Sequence, residues 1–282
     1  MKLVRFGEKG AERPGCLDAA GRVRDLSAHL SDFAGANVGL EALEALRGLD
    51  AESLPEAPGD ARIGACLADV PNFHCIGLNY SKHAAETGAT PPSEPILFSK
   101  VSSALSGPFD PVVIPKGSEK TDWEVELGVV IGRDVTHVSE ADALGCIAGY
   151  CTVNDVSERS FQIERGGQWV KGKSAPTFGP VGPWLVTADE VPDPQDLAVS
   201  LTLNGETVQN SSTADMIFGV AGIISYMSRF FALRTGDIIA TGTPEGVGMG
   251  MKPQRFLAPG DVMEVEVAGL GRQRQDVVAF AG

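Results

Sequence analysis

Polar and apolar side chains alternate along Asp122-Trp123-Glu124-Val125-Glu126-Leu127. A period of two is that of a β-strand, with Asp122, Glu124 and Glu126 on one side and Trp123, Val125 and Leu127 on the other. The run continues into Gly128-Val129-Val130-Ile131-Gly132, whose unbroken apolar character predicts a central strand buried on both faces. Short strands are predicted over Leu3 to Phe6, Gly15 to Leu17 and Arg22 to Leu26, with Asp18 to Gly21 as the turn between the last two. Leu40, Leu43 and Leu46, three apart, predict a helix. The Pro-, Glu- and Gly-rich stretch from Leu54 to Arg62 reads as a linker. Phe73 to Leu78 predicts a buried strand, then a one-turn helix capped by Ser81 and ended by Gly88. Ser139-Glu140-Ala141-Asp142 forms a capping box, Gly149 to Asp155 a strand, and the pattern turns helical from Ser157. Leu197 to Leu203 turns at Asn204-Gly205 into a hairpin. Thr213 to Leu233 reads as the one long amphipathic helix. A last strand alternates Val262, Glu264 and Glu266 against Met263, Val265 and Val267, its acids on a solvated face. The expectation is a mainly β chain with a few helices (α+β): a small N-terminal α+β domain, residues 1–68, and a larger one, residues 69–282.

Composition narrows the class of function. The 282 residues carry a formal net charge of −14, which argues against nucleic acid as a partner, because phosphate binding needs clustered Lys and Arg. No apolar run approaches the roughly 20 residues that span a bilayer, and Met1 to Glu8 lacks the apolar core of a signal peptide. Cys16, Cys66, Cys75, Cys146 and Cys151 are odd in number and scattered. That spacing fits reduced thiols and a cytoplasmic location rather than a disulfide framework or a zinc site.

The candidate chemistry begins with the acidic face. An isolated E-x-E is ordinarily a solvated edge. Carboxylates beside a doubly buried strand lose solvation and repel one another unless protonated, paired or bound to a cation. An oxygen-only cluster suits a hard dication, Mg²⁺ before Mn²⁺ and Ca²⁺ last. His83 and Glu86, at i and i+3, share a helix face, and a His oriented by a carboxylate is a general-base arrangement. Asp155 closes its strand either as the cap of the next helix or as a third ligand beside Glu124 and Glu126. Arg159 and Gln162, also i and i+3, suit a substrate carboxylate. Gly167 to Ser174 matches the phosphate-loop spacing, but a helix precedes it and Ala175-Pro176 follows, so the match is by chance. It leaves Lys173 as a cation near the acids. The Gly-rich loop Thr241 to Gly248 lets backbone and the Thr243 hydroxyl approach a ligand closely.

In chain order these pieces resemble the fumarylacetoacetate hydrolase family. The matching stretches are Gly77-Leu78-Asn79-Tyr80 with His83 and Glu86; Asp122 to Leu127; Asn154-Asp155-Val156 with Arg159 and Gln162; Gly172-Lys173-Ser174; and Thr241 to Gly248. The resemblance covers about residues 70 to 280. It implies a mixed β-sandwich roll, usually a homodimer, that cleaves or rearranges 2,4-dioxo acids with Mg²⁺ or Mn²⁺. It looks closest to the branch that hydrolyses 2,4-diketo-3-deoxy sugar acids such as the rhamnonate or fuconate. Ala175-Pro176 stands where relatives often carry an Asp, which bears on the pocket wall and the substrate. The implied reaction is hydrolysis of a carbon–carbon bond in a ketonic substrate. Glu124, Glu126 and Asp155 hold the metal, the His83–Glu86 pair activates water, and Lys173 stabilises the enolate. Tyr80, Arg159, Gln162 and Thr243 hold the substrate. Three other functions stay open: an oxaloacetate-type decarboxylase, a 2-hydroxy-dienoate isomerase and a metal-bound protein without catalysis.

Overall fold

A computed structural model describes residues 1–282. Its main sheet has ten strands. Across it run Val23–Asp25, Arg13–Leu17, Lys2–Phe6, Gly179–Thr187, Ile147–Asn154, Val125–Ile131, Ile238–Ala240, Phe73–Gly77 and Ile96–Lys100, with Leu105–Ser106 added parallel to Gly179–Thr187. A second sheet of five strands holds Glu206–Ser212, Ala198–Leu203, Val262–Val267, Gly271–Ala279 and Val112–Ile114. The expected mainly β architecture with few helices is the observed one. Lys2–Phe6 lies antiparallel to Gly179–Thr187, with Leu3 opposite Leu185, so the sheet passes unbroken from the N-terminal segment into the rest of the chain.

Val125–Ile131 lies between Ile147–Asn154 and Ile238–Ala240, and every residue in it is buried. Val125, Leu127, Val129 and Ile131 enter a cluster that includes Leu201, Val265 and Ile224. Val130 faces the opposite cluster with Leu3, Phe73 and Ile238. The period-two side chains of a strand thus feed two cores at once, as the apolar run predicts.

Three elements differ from expectation, each for a local reason. The acidic strand is interrupted: Thr121–Asp122 pairs with Ser157–Glu158 in a separate two-stranded ladder, and the main strand restarts at Val125. Thr213 to Leu233 is not one helix but a turn, Thr213–Asp215, and a short helix, Val220–Met227. Asn79 explains the gap, because its backbone carbonyl accepts from the Ile217 amide at 2.8 Å and its side-chain oxygen from the Phe218 amide at 2.8 Å. Those amides are therefore lost to a helical ladder. The helix Ser81–Glu86 has Tyr80, not Ser81, at its N-cap and no side-chain cap, although Gly88 (φ +74°) follows its end as expected. No helix is long and apolar enough to cross a membrane, and all five cysteines are free and buried.

Candidate active site

The pairing of the two central strands builds the site. Glu126 stands opposite Val153 and Val125 opposite Asn154, and just past the ladder the Asp155 amide donates to the Glu124 carbonyl at 2.9 Å. That register gathers Glu124, Glu126 and Asp155: one carboxylate oxygen from each lies within 4.8 Å of the others, and all three residues are buried. Asp122 belongs elsewhere. Its carboxylate accepts from the Gly248 amide at 2.7 Å and the Met249 amide at 3.0 Å, where the strand breaks away.

Buried carboxylates require counter-charge, and the chain supplies it from three directions. Lys173 Nζ bridges Glu124 Oε2 at 2.6 Å and Asp155 Oδ2 at 2.7 Å. Lys100, whose side chain is fully buried, holds the other Asp155 oxygen and donates to the Val156 carbonyl at 3.1 Å. Arg159 pairs with Asp122 at 2.8 Å and with Glu124 Oε1 at 2.7 Å. Glu126 has no cationic partner; its Oε2 accepts from the Gly242 amide at 2.8 Å. Gly242 has φ +100°, and a Cβ there would lie 2.6 Å from the Asn79 side chain, so only glycine presents that N–H.

Electrostatics separate the acids. Burial pushes the Glu126 carboxyl well above the usual range, and Asp155 and Glu124 push it further. Burial would raise Glu124 as well, but Lys173 and Arg159 outweigh it and hold that carboxyl well below the usual range. For Lys173, burial disfavours the charge, while Asp155 and Glu124 more than restore it and raise its pKa. Lys100, Arg159 and Lys173 thus pair with Asp122, Glu124 and Asp155, and Glu126 alone is left without a counter-charge.

These groups open onto a cavity of about 210 Å³ whose wall includes Glu124, Glu126, Arg159, Gln162, Lys173, Thr243 and His83. His83 Nδ1 meets Glu86 Oε1 at 2.8 Å, and Glu86 Oε2 accepts from the Gly246 amide at 2.9 Å. Asp155 and Glu86 stand one layer behind the wall. Arg159 lines the cavity already paired and donates to Gln162 Oε1 at 3.2 Å. The Thr243 hydroxyl donates to the Val125 carbonyl and accepts from Gln209, both at 2.9 Å.

Some sequence expectations are corrected. Tyr80 is not brought to the wall: it is 1% exposed and its hydroxyl has no partner. Asp155 does not cap the next helix, because Glu158 does so by accepting from the Ser160 amide at 3.0 Å. The sequence reading also missed Lys100, Trp169 and Phe98. Trp169 and Phe98 line the cavity. Lys100 ends the strand Ile96–Lys100, whose other side chains are only partly buried or exposed, so its sequence position alone does not show that it is buried and paired.

The family description "Fumarylacetoacetate (FAA) hydrolase C-terminal" matches residues 72–278. A relative from Burkholderia cenocepacia, provisionally named as a hydrolase, is 56% identical over 276 residues, 98% of each chain. Among solved structures, the fumarylacetoacetate hydrolase of the psychrophile Exiguobacterium antarcticum superposes with a TM-score of 0.85 at 35% identity, covering 99% of this chain and 100% of that one. The maleylpyruvate hydrolase of Sphingobium sp. SYK-6, crystallised with manganese(II) and pyruvate, superposes with a TM-score of 0.81 at 29% identity and 99% coverage of both chains.

Proposed function

Because the chain belongs to the fumarylacetoacetate hydrolase family, we propose that it hydrolyses the C3–C4 bond of a 2,4-dioxo acid, giving pyruvate and a second carboxylic acid. The observation that carries this reading is one cavity lined by Glu124, Glu126 and His83, with Asp155 completing the carboxylate cluster and Glu86 pairing with His83 just behind the wall. The donor set fits a hard dication, being all oxygen, buried and closely gathered. Glu124, Glu126 and Asp155 would hold Mg²⁺ or Mn²⁺, and the manganese of the Sphingobium relative supports that assignment. When bound, the ion supplies positive charge opposite the negative charge that develops as the bond breaks.

The chain's own groups do the rest. His83, oriented by Glu86, takes a proton from water, whose oxygen adds to the C4 carbonyl. The C3–C4 bond then breaks, C4 leaves as the new carboxylic acid, and the electron pair passes to C3 as the pyruvate enolate. The proton held on His83 Nε2 is returned to C3. Lys173 presents a fixed ammonium to the developing anion. Gln162 and Arg159 bound the space in which the substrate carboxylate lies. Removing His83 is expected to lower kcat/KM by roughly 10²- to 10⁴-fold while leaving Mn²⁺ affinity unchanged, as checked by pyruvate release and metal titration.

The test is incubation of the protein and Mg²⁺ with a panel of 2,4-dioxo acids, followed by mass spectrometry. Pyruvate plus the cognate acid, one oxygen from ¹⁸O-water in that acid, is the expected result. A product of unchanged mass, carbon dioxide release, or no turnover would contradict it.

A further inference from the structure

The cavity has two unlike ends. Of its lining, Glu124, Glu126 and Lys173 are buried, while the apolar Leu78, Phe98, Trp169 and Met249 are half-buried and Ile163 is exposed. Trp169 is seated by a missing side chain: a Cβ on Gly77 would lie 2.5 Å from the indole ring. The indole meets Phe98 edge-on, with centroids 5.2 Å apart and planes at 63°. Lys173 Nζ sits 5.0 Å over the Phe98 ring. An aromatic corner therefore leads straight to the proposed reacting centre. Ile163 is 52% exposed at the rim, an apolar side chain held beside the opening.

Polar recognition is scarce along that path. Both cations of the wall already face carboxylates, Arg159 on Asp122 and Glu124, Lys173 on Glu124 and Asp155. Arg159 Nη2, a buried guanidinium nitrogen without a hydrogen bond, faces the 2-oxo acid's own carboxylate in the reaction proposed above, so a second substrate carboxylate would be desolvated without a free partner. Hydroxyl groups fare little better. The Thr87 hydroxyl donates to carbonyls of its own helix, Thr243 is bonded on both sides, and Gln162 keeps only its amide nitrogen for the cavity.

Resting on the reaction proposed above, we infer that the acyl group is uncharged and apolar, a short alkyl chain or a phenyl ring lying in the Phe98–Trp169 corner. This parts from the sugar-acid chain that the sequence resemblance implies. Aromatic stacking and apolar burial favour such a group, whereas hydroxyls and a second carboxylate would lose hydration without replacement.

The test is a matched series with Mg²⁺: acetyl-, isobutyryl- and benzoylpyruvate, a dicarboxylic acylpyruvate, and a polyhydroxylated 2,4-dioxo-3-deoxy acid, each followed by pyruvate release. The alkyl and aryl members are expected to exceed the other two in kcat/KM by tenfold or more. Trp169→Ala should cut kcat/KM for benzoylpyruvate at least tenfold, through KM, and by more than it cuts that for acetylpyruvate, with an unchanged circular dichroism spectrum and melting curve showing that the variant folds. Preference for the charged or hydroxylated member, or an equal loss on every substrate, overturns the inference and leaves the reaction standing. If no member yields pyruvate, the reaction fails instead. Calorimetric binding of a phenyl-bearing 2-oxo acid against its dicarboxylic counterpart then decides the pocket, with tighter phenyl binding expected and the reverse overturning it.

Discussion

Glu126 is the residue on which the site turns, because it alone of the three gathered acids lacks a cationic partner. Its carboxyl is raised by burial and by its acidic neighbours, so the folded chain holds a proton there that the unfolded chain releases above the ordinary carboxylate range. The linkage is destabilising as pH rises from that ordinary range toward the raised value, because the folded state binds the extra proton. Glu126→Gln keeps an acceptor for the Gly242 amide and removes the titrating carboxyl. The chelated variant is therefore expected to melt higher than chelated wild type at neutral pH, with a flatter pH dependence, in paired melting curves. Metal binding must expel that proton, so wild-type Mg²⁺ affinity should rise with pH across the same window. Lys100 acts in the opposite sense. Replacing it with Met strips one of the two cations from Asp155 and is expected to cost about 3–5 kcal/mol in a urea titration, as for breaking a buried pair. Of these residues, Glu124 and Glu126 were legible in the sequence because a period of two is a local property, while Asp155 was legible only as an acid closing its strand, cap or ligand. Lys100 was not, since its partner lies 55 positions away and nothing beside it announces the pairing.

At the scale of elements, the site is made by register and by segments that pin one another. The ladder that sets Glu126 opposite Val153 fixes the acids to the extent that the strands cannot slip without exposing two cores. Asn79 joins three segments: its side chain binds the Phe218 amide at 2.8 Å, the Phe218 carbonyl at 3.0 Å and the Thr241 carbonyl at 2.7 Å. Asn79→Ala leaves those groups unpaired, so a loss of about 1–3 kcal/mol is expected, with faster amide exchange in both Ile217–Phe218 and Thr241–Gly242. Unchanged exchange would mean that the segments hold themselves. The same contact explains the misread helix. Residues 213–233 have helical periodicity, but a side chain 139 positions away claims the backbone at Phe218, which no local pattern can reveal. The interruption between Asp122 and Val125 was equally hidden, being set by amides from Gly248 and Met249.

For the whole molecule, the formal charge of −14 opposes the approach of an anionic dioxo acid, and the cations of the site are already balanced. Salt screens such repulsion over about 10 Å at 0.1 M. On the proposed reaction, kcat/KM should rise with ionic strength at saturating Mg²⁺, roughly twofold between 10 and 150 mM NaCl, as initial rates would reveal. A steep fall would mean that local positive potential steers the substrate. The β-rich class was readable from the spacing of strands and turns, and the family from five short stretches in order. Which acyl group the cavity admits was not, because the wall of Phe98, Trp169 and Met249 assembles from segments that carry no shared pattern. The central claim is that three carboxylates on one buried face hold a dication. It is tested most directly by titrating Mn²⁺ into chelated wild-type protein and the Glu126→Gln variant under electron paramagnetic resonance. One tight site per chain in wild type, lost in the variant, is expected; equal binding by both, or none by either, would contradict it.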